Sequence, residues 1–142
     1  MPVNPGAFSY PLRKGVNTCS HAGYSFVVFG GQLKFLVAAQ TTTTISSHGA
    51  GAAIGIYDGQ RHHVVGTYDE QNVRLYVDGV EIGAGTPNTE AIRYNLPTDN
   101  DLYFGAYEQP GGCRLSFKGD LDDVAIWPRA IAAAEVAARA AR

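Results

Sequence analysis

Between Gly59 and Gly79 the chain reads as two strands and the turn that joins them. Arg61 to Tyr68 is rich in β-branched and aromatic residues, which suit a pleated, half-buried surface. Asp69-Glu70-Gln71-Asn72 is polar and turn-forming. Val73-Arg74-Leu75-Tyr76-Val77 then alternates apolar and polar residues and stops at Asp78-Gly79, a dipeptide that favours the tight turns of hairpins. A second run, Leu115 to Trp127, has the pattern of a long strand, and Pro128 opens a helix reaching Arg139. A chain with these two features is committed to a sheet-based fold closed by a terminal helix.

The remaining strands come at short intervals. Phe8–Arg13 reads as a strand interrupted by Pro11. Tyr24–Phe29 and Gln32–Ala38 flank Gly30-Gly31 as a hairpin. Thr41–Ser46 is strand-prone but polar, as an edge strand is. Gly49–Ala53 reads as a loop, Ile54–Tyr57 and Glu81–Ala84 as short strands, and Thr86–Asn100, with Pro87 and Pro97, as mostly loop. Leu102–Ala106 is a further strand. Lys14–Gly23 and Tyr107–Cys113 are glycine- and polar-rich loops. Many short strands with regular turns predict one domain, residues 1–142, folded as an all-β antiparallel sandwich with a short C-terminal helix. In that helix Ile131 and Val136 form a narrow apolar stripe, and Glu135 and Arg139 stand at i and i+4.

Composition narrows the function. Gly supplies 17 of 142 residues, charged residues 17% and hydrophobic residues 45%, the profile of a globular, turn-rich chain. A formal net charge of −2 without a basic block argues against nucleic acid or an anionic membrane as partner. No stretch approaches the ~18 apolar residues of a membrane helix, and the residues after Met1 lack the basic start and apolar core of a signal peptide. Cys19 and Cys113 lie in loops without metal-site spacing; they read either as free thiols or as a disulfide formed in oxidising surroundings. His62 and His63 are adjacent on a strand, so they point to opposite faces and cannot share one metal ion.

An ordered series of motifs resembles the laminin-G-like, concanavalin-A-like jelly rolls. Gly59, His62, His63 and Val64, then Thr67-Tyr68-Asp69, then Leu75-Tyr76-Val77-Asp78-Gly79 follow that family's pattern. So do Leu102-Tyr103-Phe104-Gly105 and a tail of Phe117, Gly119, Leu121, Asp122, Asp123, Val124, Ile126, Trp127, Arg129, Ala130, Glu135 and Val136. Lys14-Gly15 with Gly23-Tyr24-Ser25 extends the likeness, which spans roughly residues 8–138. Arg61 stands where the family usually has Trp, and Ala132 where it has a capping Ser. Family domains also carry one or two more strands before the Lys-Gly segment. The resemblance therefore implies a sandwich completed by other subunits or by a parent chain.

The resemblance implies a non-catalytic binding or adhesion module that recognises a glycan or a protein through its loops. Candidate ligand residues are Asn17 and His21 in one loop and Tyr107, Glu108, Gln109 and Arg114 in the other, where an aromatic platform and planar polar groups suit a sugar; a Cys19–Cys113 bond would join the two loops. No cofactor is required, although some relatives bind Ca²⁺ near the position of Asp122, which shares strand parity with Val124 and Ile126 and is expected to point inward. A glycoside hydrolase needs two facing carboxylates, and the Glu-x-Asp-x-(x)-Glu spacings of related hydrolases do not occur here. The alternative expectation is a structural virion component, a bacteriophage decoration or tail protein that assembles with its neighbours. Either role places the chain outside the cell or on a virion surface.

Overall fold

A computed structural model describes residues 9–15, 23–40, 45–53, 56, 58–94, 101–105 and 116–142. Nine strands and one helix occur among them: β1 (Ser9–Lys14), β2 (Tyr24–Phe29), β3 (Gln32–Gln40), β4 (Ile45–Ala53), β5 (Val64–Tyr68), β6 (Asn72–Val77), β7 (Val80–Glu81), β8 (Thr86–Pro87), β9 (Leu102–Phe104) and α1 (Ala133–Ala140). They form two antiparallel sheets. The first runs β4-β3-β2-β1-β9, and the second runs β5-β6-β7 with β8 also on β6. The all-β, two-sheet expectation holds.

Local chemistry explains the pairing. Gly30 and Gly31 both take positive φ, at 57° and 75°, and so close the β2–β3 hairpin in perfect register from Phe29↔Gln32 to Tyr24↔Val37. Pro11 cannot donate to a ladder, and the β1–β2 register slips between Ser9 and Leu12. The chain absorbs the proline as an irregularity rather than ending the strand there. β4 extends through Gly49–Ala53, the stretch expected as a loop, because β3 is long enough to template it: Gln32 to Gln40 pair residue by residue with Ala53 to Ile45.

The sheets face each other through Val28, Leu33, Phe35, Val37 and Ala50 on one side and Val73, Leu75 and Val77 on the other. Alternation puts the opposite face of the second sheet outward, where Val65 and Tyr76 are covered by Ile131 and Val136 with Trp127 beside them. Val136 is fully buried there, and Arg139 lies over the Trp127 ring at 4.7 Å. The helix starts at Ala133, five residues later than the Pro128 signal suggested, and its N-cap Ala132 makes no side-chain cap. The described residues 116–132 belong to neither strand nor helix, so the long strand expected to end at Trp127 does not form there.

The inter-sheet spacing is set at one point. A Cβ on Gly66 would overlap the Phe35 ring, so β5 lies directly on that ring only because residue 66 has no side chain. Gly66→Ala is expected to lower the unfolding free energy by about 1–3 kcal/mol, and adding Phe35→Leu to recover part of it. Denaturant titration checks this; an unchanged midpoint in Gly66→Ala would show that the ring and β5 are not in contact.

Candidate functional site

A cluster of described polar side chains stands at one end of the β5–β6 hairpin. Val77 and Val80 pair across a two-residue turn, Asp78-Gly79, with φ of 50° and 83°. The turn brings the Asp78 carboxylate back over the residues that lead into β5. Its Oδ1 accepts the His63 backbone N–H at 2.9 Å, and its Oδ2 lies 2.7 Å from His62 Nδ1. The Asp78 N–H donates in return to the His63 carbonyl at 2.8 Å. On the far side of the imidazole, Nε2 meets Asp58 Oδ1 at 3.1 Å, and the same oxygen accepts the Gln60 N–H at 2.7 Å. His62 is thus held at both ring nitrogens by two carboxylates, and its side chain is only 19% exposed.

The electrostatics follow. The hydrogen bond to Asp78 raises the His62 pKa most, Asp58 adds to it, and partial burial opposes both. Asp78 is lowered, chiefly by His62, and Asp58 is lowered by the Gln60 N–H and then by His62. Arg61, one residue away, reaches Asp122 at 3.0 Å in an exposed pair. The arginine that replaces the family's tryptophan therefore spends its charge on the segment that precedes α1.

Asp122 was expected to point inward. Its side chain is 60% exposed, and Val124 and Ile126 are 46% and 50% exposed. The parity argument fails because this segment enters no ladder: Phe117 N–H bonds the Gly105 carbonyl at the end of β9, and the chain then crosses to Arg61. A guanidinium is a poor neighbour for a divalent cation. Calcium takes six to eight oxygens, and among the described residues no group of three or more His, Cys, Asp or Glu could hold a metal. As described, the residues around Asp122 do not fit that ion.

Asn17, His21, Tyr107, Glu108, Gln109, Arg114, Cys19 and Cys113 lie outside the described residues. The roots of their loops are described. Gly15 N–H bonds Asp101, and Gly105 N–H bonds Pro11, so the loops leave from opposite ends of the β1–β9 pair, about 13 Å apart at ~3.3 Å per residue.

Sequence reasoning missed the His62 clamp. It read His62 as a strand residue and Asp78 as a turn former, and neither reading carries information about a contact 16 residues away.

These features define a two-sheet sandwich with a helix on one outer face and loops at its ends. The chain matches Laminin_G_3, the Concanavalin A-like lectin/glucanases superfamily, over residues 4–137, and it belongs to that family. No curated protein matches it. A crystal structure of an S-layer domain-containing protein from Clostridium thermocellum ATCC 27405 is similar, with 20% identity and a TM-score of 0.49. That alignment covers 93% of this chain and 63% of the other. Among the described residues, no helix is long and apolar enough to cross a membrane.

Asp78→Ala is expected to lower Tm by several degrees, because it strips partners from His62 and from the His63 N–H together. Asp122→Ala is expected to move Tm by no more than about 2 °C, as exposed ion pairs contribute little. Thermal melts at one pH check the contrast, and equal shifts would remove Asp78 from its anchoring role.

Proposed function

We propose that the protein is a non-catalytic binding and adhesion module that acts outside the cell and recognises a glycan through its loops. The observation that carries this reading is electrostatic. Every described carboxyl group with a displaced pKa is displaced downward: Asp58, Asp69, Asp78 and Glu135, each by hydrogen bonds or cationic partners. A glycosidase needs a carboxylic acid held protonated, with its pKa raised, facing a second carboxylate. These four acids are held as anions by the groups that bond them, which suits a scaffold rather than a proton donor. Family membership supports the same reading, since domains of this kind are generally non-catalytic.

The ligand residues we assign are those of the two loops: Asn17, His21, Tyr107, Glu108, Gln109 and Arg114. A glycan array followed by an assay for released reducing sugar tests the reading. Binding without turnover is expected, and Tyr107→Ala is expected to weaken it about tenfold. Steady release of sugar from a bound glycan would overturn the non-catalytic assignment.

A second reading, a structural component completed by a neighbouring subunit, is favoured by one feature. Register places Leu102 opposite Lys14 and Phe104 opposite Leu12, and Leu12 in turn opposite Phe26, so Phe104 lies on the face that the core occupies further along the sheet. Leu102 and Phe104 are nevertheless 36% and 49% exposed, and Leu121, Val124 and Ile126 are exposed as well. Exposed apolar side chains on β9, which ends the described sheet order, suit an added strand from another subunit. On this reading light scattering gives an oligomer that Phe104→Lys dissociates; a monomer at all concentrations would set the reading aside.

A further inference from the structure

We propose that His62 is a pH-operated latch: doubly protonated, it ties the Asp58–Gln60 turn to the Asp78–Gly79 turn, and on losing one proton it keeps Asp78 and releases Asp58.

The asymmetry of the two contacts decides which side opens. A doubly protonated imidazole donates from both nitrogens, one bond to each carboxylate. A neutral imidazole has one N–H, and its other nitrogen presents a lone pair to whichever anion remains. Nδ1 to Asp78 is the shorter contact, 2.7 Å against 3.1 Å for Nε2 to Asp58. Asp78 is further immobilised by the His63 N–H and by its place in the turn. The turn itself is backed by the helix, for a Cβ on Gly79 would stand 3.2 Å from Ala137 Cα and from Ala140 Cβ. Among the described residues, the Asp58 oxygen is bonded to His62 and to the Gln60 N–H two residues away, both on its own loop, and Asp58, Gly59 and Gln60 are all exposed. The remaining proton therefore stays on Nδ1, and Nε2 faces Asp58 with a repelling lone pair.

The charged groups acting on His62 are Asp58 from its own loop and Asp78 from the hairpin turn. The adjoining charges are already engaged: Arg61 with Asp122, and Glu135 on α1 with Arg129 and Arg139. Alanines form the helix surface that meets the turn at Gly79. Because its pKa is raised in the fold, the contribution of His62 is complete below the ordinary imidazole value of ~6.5 and is lost as pH rises through the raised value. The lowered carboxylates contribute above the ordinary aspartate value of ~3.9, and that part is lost as pH falls through their lowered values. The latch is closed between those limits and opens first on the alkaline side.

Two-dimensional 1H–15N NMR of the whole chain from about pH 5 to about pH 9 reads both ends at once. The imidazole nitrogens report the titration and tautomer of His62, and the amides of Gln60 and of Val80, which closes the Asp78–Gly79 turn, report the two turns. Expected are a His62 midpoint above that of an unperturbed histidine, the Nδ1–H tautomer on the alkaline side, a Gln60 amide that moves with the same midpoint, and a steady Val80 amide. Asp58→Asn, an exposed and isosteric change, is expected to lower the His62 midpoint and abolish the Gln60 response. A Gln60 amide indifferent to His62, a Val80 amide that moves instead, or a Gln60 response that persists in Asp58→Asn would each overturn the latch.

Discussion

One carboxylate carries much of this architecture. Asp78 sits in a left-handed turn, returns a hydrogen bond to the His63 backbone, and holds the His62 ring. Those contacts fix where β5 begins relative to β6. The register of that hairpin sets Gly66 opposite Leu75 and so places the bare backbone of residue 66 over Phe35. The core between the sheets and the seat of the helix on Val65 and Tyr76 both follow from that alignment. The polar contact at the sandwich's end and the apolar packing in its middle thus share one hairpin.

The two sheets are finished to different degrees. The smaller one is covered on both faces, by Phe35 and its neighbours inside and by Ile131 and Val136 outside. The larger one is buried along β3 at Leu33, Phe35 and Val37 and at Ala50 of β4, while its β9 margin carries exposed Leu102 and Phe104. Burying such side chains returns about 25 cal/mol per Å², so this margin is where the fold has most to gain from an added strand. At the polar end, by contrast, His62 is paired with both Asp58 and Asp78.

Most of the fold was legible because its elements are locally encoded. The Gly30-Gly31 and Asp78-Gly79 turns, the alternation in β6 and the β-branched run of β5 each state their own geometry. What was misread depended on distant partners. β4 reads as a loop over Gly49–Ala53 because small residues carry no strand signal, yet β3 pairs with it throughout. The 116–127 segment reads as a strand because its alternation is good, but alternation does not supply a neighbouring edge. The His62 clamp was invisible for the same reason: two acids 4 and 16 residues away become partners only after a turn folds back. The loop residues assigned to the ligand rest on residue chemistry, and the described structure adds only where their loops begin.

The position of β1 has a mechanical consequence. It is hydrogen-bonded on both sides, to β2 and to β9, whereas α1 is held chiefly by side-chain packing on an outer face. Bonds in a ladder pulled along the strand must shear together, while a packed helix can peel away a turn at a time. Under tension the molecule should yield from its C-terminal helix first and keep its larger sheet longest, softening at one end before its sandwich parts.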